Sequence, residues 1–163
     1  MHKPYGPYEK YLKRPIDLLC GLAAVLVFCW LYILLIILGF IFMRGNPFFT
    51  QERPGKNGKI FKLIKFRTMD NRRDKNGEYL PDEVRLNKYG RFLRKTSLDE
   101  IPEAFNIIKG DMSLIGPRPL LVQYLPLYSE KQKHRHDVRP GLSGYELFLA
   151  THRLVEEGIK CEL

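Results

Sequence analysis

Between Asp17 and Arg44 the chain runs from Leu18 to Met43 without one charged residue. As a helix at roughly 1.5 Å per residue, that stretch covers about 39 Å, more than the ~30 Å hydrocarbon core of a bilayer. It is long enough to span with some tilt. A cleaved signal peptide fits poorly, because the apolar region is too long and no small-residue cleavage site follows it. A buried core helix fits no better: a chain of 163 residues would need most of its remaining apolar side chains to surround it. The expectation is a membrane segment.

Both flanks of this segment are basic. Lys3, Lys10, Lys13 and Arg14 precede it; Arg44, Arg53, Lys56, Lys59, Lys62, Lys65 and Arg67 follow. By the positive-inside rule both flanks belong on the same face, which favours a re-entrant hairpin over a simple span. A bend at membrane depth needs a cause such as proline, and only the off-centre Gly21 and Gly39 offer themselves. The net charge of +9 suits an anionic leaflet, a phosphorylated substrate or nucleic acid. Cys20 and Cys29 lie in the apolar run and Cys161 near the end, a distribution that builds neither disulfide framework nor zinc site and fits a reducing compartment.

Beyond the apolar run, Pro47 to Thr50 and Ile60 to Thr68 read as strands around Lys56-Asn57-Gly58-Lys59, since Asn-Gly is a strong hairpin turn signal. Lys62, Lys65 and Arg67 interleave with apolar residues there. They form either a solvated edge that keeps the strand soluble or a basic rim for an anionic ligand. Asp70 to Asp82 reads as a loop. Leu86 to Arg94 reads as a short basic helix. In Ser97-Leu98-Asp99-Glu100 the pattern matches a capping box, with Glu100 reaching back to the backbone of Ser97. Pro102 belongs in a first turn, which pulls the expected helix start toward Asp99. Either register puts Asp99 at a helix N-terminus, where the dipole favours an anion, and adjacent carboxylates can hold Mg²⁺ against phosphate oxygens. Lys109-Gly110 reads as the helix end. Pro117-Arg118-Pro119 holds one arginine between backbone-restricting prolines, a suitable phosphate contact. Tyr124 to Tyr128 with the Lys131 to Arg135 cluster reads either as an interfacial surface or as an ordinary helix with a solvated end, and His134 and His136 as part of that basic surface.

Seven motifs then occur in order: Lys13-Arg14-Pro15-Ile16-Asp17, Phe49-Thr50-Gln51-Glu52-Arg53-Pro54-Gly55, Lys65-Phe66-Arg67-Thr68-Met69, Ser97-Leu98-Asp99-Glu100, Lys109-Gly110-Asp111-Met112-Ser113, Gly116-Pro117-Arg118-Pro119 and Arg139-Pro140-Gly141-Leu142-Ser143-Gly144. From about Tyr11 to Tyr145 the chain resembles the bacterial sugar transferases, small monotopic phosphoglycosyl transferases. The resemblance implies a membrane-anchored α+β fold, mostly helical. Residues 1–45 would form the basic flank and a re-entrant or spanning helix. Residues 46–145 would form a cytosolic catalytic domain with a β-hairpin and short amphipathic interfacial helices.

The resemblance also implies transfer of a phosphosugar from a UDP-sugar to a polyprenol phosphate such as undecaprenyl phosphate, with release of UMP. This would be the first membrane step of glycoconjugate or exopolysaccharide synthesis. Asp99 would be the nucleophile that forms a covalent aspartyl-phosphosugar intermediate, and Glu100 with Asp99 would hold Mg²⁺. Lys65, Arg67 and Arg118 would contact phosphate, and Arg139 the nucleotide or acceptor. The implied partners are the UDP-sugar, the polyprenol phosphate and membrane lipids. The implied place is the bacterial cytoplasmic membrane, with the catalytic domain facing the cytoplasm.

Two features depart from the family pattern. Phe28-Cys29-Trp30-Leu31 stands where the family commonly carries a helix-breaking proline. After Arg-Pro-Gly, in place of a Gly-Trp-Ala-Gln-type segment and further helices, the chain reads Gly144-Tyr145-Glu146-Leu147-Phe148-Leu149 and stops at Leu163. Residues 146–163 are therefore expected to be a divergent tail of a truncated or frame-shifted product. The alternative function is then a catalytically degenerate membrane protein of the same fold with a structural or regulatory role. A nucleic-acid binder is not expected, because no such signature accompanies the charge. Nothing in the sequence specifies the sugar, the glycan pathway or an oligomeric state.

Overall fold

A computed structural model describes residues 7–143. The tail read at 146–163 with its Cys161, the Gly144-Tyr145 junction and Lys3 lie outside the described residues. The chain divides into two compact units: described residues 7–21, 52–61 and 107–143 form one, and 22–51 with 62–106 form the other. The fold is mixed α/β with a small β-hairpin.

The apolar run folds as two helices, α1 (Lys13–Val27) and α2 (Cys29–Met43), with a π-helical turn at Tyr8–Leu12 before them. No single helix among the described residues is long and apolar enough to cross a membrane. Tyr8–Val27 and Cys29–Met43 reach that length and composition only together, bent by 64° at the break. The bend forms without the proline that the sequence pattern calls for. Phe28 leaves the helical region at φ −97° and ψ 12°. Its N–H still donates to Ala24 O at 3.0 Å, and Tyr32 N–H donates to Phe28 O at 2.9 Å. A turn of the peptide at one ordinary residue, with hydrogen bonds kept on both sides, is enough.

In the second unit α2 buries one stripe, Tyr32, Leu35, Gly39 and Met43, at the three-to-four spacing of a helix face. The buried core there combines Tyr32, Leu35 and Met43 with Phe66, Tyr89 and Leu93. Tyr89 Oη donates to Leu35 O at 2.8 Å, and burial pushes that hydroxyl up to about 12. The other faces of α2 stay open: Trp30, Ile33, Phe40 and Ile41 are all exposed, as are Leu19 and Leu26 of α1. Helix α2 is thus not a core helix.

Strands β1 (Phe48–Pro54) and β2 (Ile60–Phe66) pair, so the first strand runs four residues beyond its expected end at Thr50 and the second stops two short of Thr68. Asn57 and Gly58 both have positive φ, 56° and 73°, and Lys59 N–H closes on Lys56 O at 3.2 Å. Two central residues at positive φ are what a type I′ hairpin turn requires, and Asn-Gly supplies them at little strain.

After α3 (Asp82–Arg85), helix α4 occupies Lys88–Thr96 rather than Leu86–Arg94. Asn87 is its N-cap, accepting from Gly90 N–H at 2.9 Å, and a start at Leu86 would forfeit that cap. Gly90 lies directly on Thr68 O, where any Cβ would collide. Helix α5 (Glu103–Lys109) follows and ends as expected, with Gly110 at φ +96°.

In the first unit, β3 (Ser113–Ile115) pairs in parallel with β4 (Gly141–Ser143), Ser113 opposite Gly141 and Ile115 opposite Ser143. The backbones of Gly116 and Gly141 touch, leaving no room for a side chain on either. Between the strands lie a 3₁₀ turn (Val122–Leu127), α6 (Glu130–Lys133) and another 3₁₀ turn (His134–Asp137).

Candidate functional site

The stretch from Ser97 to Pro102 departs from its expected geometry, and the departure builds the site. Ser97 is not an N-cap: it sits in the left-handed region at φ 55°, closes α4 by donating its N–H to Arg94 O, and makes no side-chain cap bond. Leu98–Glu100 forms a 3₁₀ turn, and α5 begins only at Glu103. The expected capping box at Ser97 is therefore absent, and Asp99 lies one turn before the helix rather than at its first residue. Pro102 remains just ahead of the helix, where its missing N–H is harmless.

Glu100, released from capping, accepts a hydrogen bond from Lys65 Nζ at 2.7 Å. The same ammonium lies 3.1 Å from Glu103 Oε1. Glu103 is only 4% exposed, and the sequence reading passed over it. The sequence shows Asp99, Glu100 and Glu103 as three carboxylates within five positions, but the burial that makes Glu103 demand a cation comes only with the fold. Burial works to lower the Lys65 pKa, but the bond to Glu100 and the charges of Glu103 and Glu100 outweigh it and raise it. Lys65 is thus held as a cation. By strand parity it shares a face with Phe61 and Leu63, whereas Lys62 is solvent-exposed; of the two readings offered for these cations, Lys62 is the solvated edge.

Asp99 is half-buried. Burial raises its pKa most, Lys65 opposes that, Glu100 adds to it and Arg94 opposes it. The result is a carboxylate less strongly solvated than usual yet facing two cations. Arg94 is oriented by its bond from Nε to Thr68 Oγ1 at 3.0 Å. Arg67 donates from Nη2 to Phe48 O at 3.3 Å, and its buried Nε has no hydrogen-bond partner.

Two contacts hold this constellation in place. Tyr32 Oη of α2 donates to Ile101 O at 2.5 Å, immediately after the carboxylate pair. Asn106 of α5 accepts from Ile64 N–H at 3.0 Å and donates to Lys62 O at 2.8 Å, pairing with the edge of β2 on both sides of Leu63, two residues before Lys65.

The structure thus gathers Lys65, Arg67, Asp99 and Glu100 in one unit. Arg118 and Arg139 belong to the other. Arg118 is exposed on the loop after β3, where its carbonyl accepts from Arg135. Arg139 donates from Nε to Gly110 O at 2.8 Å. Arg14 caps the same helix end, donating to Ile107 O at 2.6 Å and Ile108 O at 2.7 Å. Buried Asp17 accepts from Ser113 Oγ at 2.8 Å and Leu114 N–H at 3.0 Å. The Lys-Arg-Pro-Ile-Asp motif is in this unit a fastener for the end of α5 and the start of β3.

Among the described residues no group of three or more His, Cys, Asp and Glu converges to hold a metal by itself. The donor set of Asp99 and Glu100 nonetheless suits Mg²⁺, which is commonly held by one or two carboxylates together with substrate phosphates.

Comparison with known proteins places the chain as a whole. The chain is 53% identical over 136 residues to the sugar transferase EpsL of Bacillus subtilis, a match covering 82% of this chain and 66% of that protein. It is 35% identical over 145 residues to a UDP-N-acetylgalactosamine-undecaprenyl-phosphate N-acetylgalactosaminephosphotransferase of Aeromonas hydrophila, covering 86% of this chain and 34% of the relative. It is 33% identical over 155 residues to an undecaprenyl-phosphate galactose phosphotransferase of Salmonella typhimurium, covering 83% and 32%. The chain therefore spans two thirds of EpsL and about one third of the other two. The family pattern itself matches residues 8–161, continuing past Tyr145, where the motif resemblance was read to end. With a match over nearly its whole length, this chain belongs to the bacterial sugar transferase family.

Proposed function

We propose that this chain transfers a phosphosugar from a UDP-sugar to a polyprenol phosphate through a covalent intermediate on Asp99. The observation that carries the reading is the Leu98–Glu100 turn, which places Asp99 beside a lysine held charged by two carboxylates. In the first step an Asp99 carboxylate oxygen attacks the sugar-bearing phosphorus. A new P–O bond forms, the diphosphate P–O bond breaks, and its electron pair leaves with UMP. In the second step a phosphate oxygen of the acceptor attacks the same phosphorus and expels the Asp99 carboxylate, giving the polyprenol diphosphate sugar.

The burial that raises the Asp99 pKa leaves its carboxylate poorly solvated and hence a stronger nucleophile once ionised, and the Lys65 charge opposes that rise. Lys65 and Arg67 contribute fixed positive charge for the phosphate oxygens, a stabilisation that needs no reorganisation during reaction. Mg²⁺ held by Glu100 with Asp99 would neutralise the diphosphate and improve UMP as leaving group. Arg118 and Arg139 are proposed as further phosphate, nucleotide or acceptor contacts.

The exposed apolar faces of α1 and α2 support a membrane location, since so much apolar surface is costly in water. The 64° bend supports re-entry on one side. Together with the basic flanks they favour the cytoplasmic face of the bacterial inner membrane, as the first membrane step of glycoconjugate or exopolysaccharide synthesis. The printed names of the relatives, with UDP-sugar and undecaprenyl phosphate in them, support the substrate classes.

The test is UMP release from a panel of UDP-sugars with Mg²⁺ and undecaprenyl phosphate. The expected result is release that Asp99→Asn reduces by about a thousandfold or more, the scale seen when a catalytic nucleophile is removed. Release unchanged in that variant overturns the covalent step, and no release from a folded chain favours a catalytically degenerate protein.

A further inference from the structure

The first unit contains a cavity of about 320 Å³, at the lower end of the roughly 300–1,000 Å³ usual for small-ligand sites. Its walls carry Lys10, Lys13, Arg14, Lys56 and Arg139 against Glu9 and Asp17, with Ser113 and Val138 completing them. Much of this charge is already committed. Arg14 spends its guanidinium on the Ile107 and Ile108 carbonyls, Arg139 commits its Nε to Gly110 O, and Asp17 is satisfied by Ser113 and Leu114. Glu9 is engaged as well. The lysines are a different matter. Lys10 lies over the Tyr11 ring, and neither Lys13 nor Lys56 makes an ion pair among the described residues.

We propose that this cavity is a binding site for a phosphate dianion, held by Lys10, Lys13 and Lys56 above a floor set by Arg14, Arg139 and Asp17. Three ammonium groups around one concavity repel one another unless an anion joins them, and a doubly charged phosphate matches that surplus better than a single carboxylate. Among the described residues no aromatic side chain lines the cavity, so these walls offer no platform for a nucleobase. The fasteners beneath give the site a fixed floor, because Arg14 and Asp17 tie α1 to the end of α5 and to β3. The phosphate can arrive as a free ion or as the head of a lipid. Arg139 is the one wall residue shared with the proposed transfer chemistry, but neither source requires turnover at Asp99, so binding here is read independently of the reaction.

The test is calorimetric titration of the full chain, in micelles of an uncharged detergent at low salt, with inorganic phosphate and separately with decyl phosphate. The expected result is saturable binding of both probes, weakened about tenfold or more in Lys13→Gln/Lys56→Gln, with affinity kept in Lys13→Arg/Lys56→Arg. Lys59→Gln, on the same hairpin but outside the cavity, should bind like the parent. Tighter binding of decyl phosphate identifies a lipid source, and equal binding a free phosphate. Binding of neither probe, an unaltered double glutamine variant, or an equal loss in Lys59→Gln would each overturn the site.

Discussion

Two segments within the described residues carry the same local pattern, a serine followed three residues later by an acid or its amide, and they fold differently. At Ser129-x-x-Gln132 the capping box forms on both sides: Gln132 N–H donates to Ser129 Oγ at 3.3 Å, and Ser129 N–H to Gln132 Oε1 at 2.9 Å. At Ser97-x-x-Glu100 neither bond forms. Ser97 ends a helix in the left-handed region, and Glu100 turns to Lys65. The difference lies in the surroundings. At Gln132 the side chain is a neutral amide on a largely exposed segment, whereas Glu100 is a carboxylate beside a half-buried ammonium whose charge must be matched. A local rule gave way where tertiary charge pairing was worth more, which is where functional sites are expected.

The contrast can be broken most forcefully at Glu100. Glu100→Gln should lower UMP release by about a hundredfold or more, as for loss of one preorganised electrostatic group. It should also lower the melting temperature, because the half-buried Lys65 ammonium loses one of its two carboxylates, while the first amides of α5 stay protected because no helix cap is lost. Deprotection of those amides with activity kept would restore the capping reading. The serines offer a second comparison. Ser129→Ala should destabilise its segment by about 1 kcal/mol through loss of the cap, while Ser97→Ala removes no cap bond and should cost less than about 0.5 kcal/mol. Hydrogen exchange at the first amides of α6 and α5 would separate the two, and equal deprotection at both ends would contradict the structure.

The smallest expected effect is a displacement along the pH axis. Burial raises the Asp99 pKa and Lys65 opposes it, so Lys65→Met should move the Asp99 titration to still higher pH. Because the proposed nucleophile acts in its ionised form, the acidic limb of UMP release should move up with it. The sign for stability follows. A raised folded-state pKa gives Asp99 a favourable contribution below its unfolded pKa that is lost as pH rises through the folded value, so ionisation near neutrality works against the fold. Carboxyl NMR of the parent and variant would measure the displacement, and a downward movement would show that Lys65 does not face Asp99.

How much of this was legible in the sequence depended on whether the signal was local. Asn57-Gly58 announced its turn because few other residues accept positive φ in succession. Lys109-Gly110 announced the end of α5, and Asp99-Glu100 stood out as adjacent carboxylates. The apolar run was evident, but its bend at Phe28 was not, since that residue has no intrinsic preference for breaking a helix. The parallel pairing of Ser113–Ile115 with Gly141–Ser143 was hidden as well: three-residue strands far apart in the chain show no alternation to read. Glu103 was missed because its meaning comes from Lys65, a partner on another element. Arg14 and Asp17 were seen as a motif without a task, because the carbonyls and hydroxyl they serve lie almost a hundred residues away.

The bond from Tyr32 Oη to Ile101 O has a mechanical meaning. The turn bearing Asp99 and Glu100 is moored to α2 by that oxygen, while the Tyr32 ring lies 6.0 Å from Phe66 and 5.6 Å from Phe105. The same helix is held further along, where Tyr89 Oη donates to Leu35 O at 2.8 Å and Asn87 Nδ2 to Phe42 O at 2.9 Å. The carboxylate turn therefore hangs from the one packed stripe of a helix whose other side is exposed.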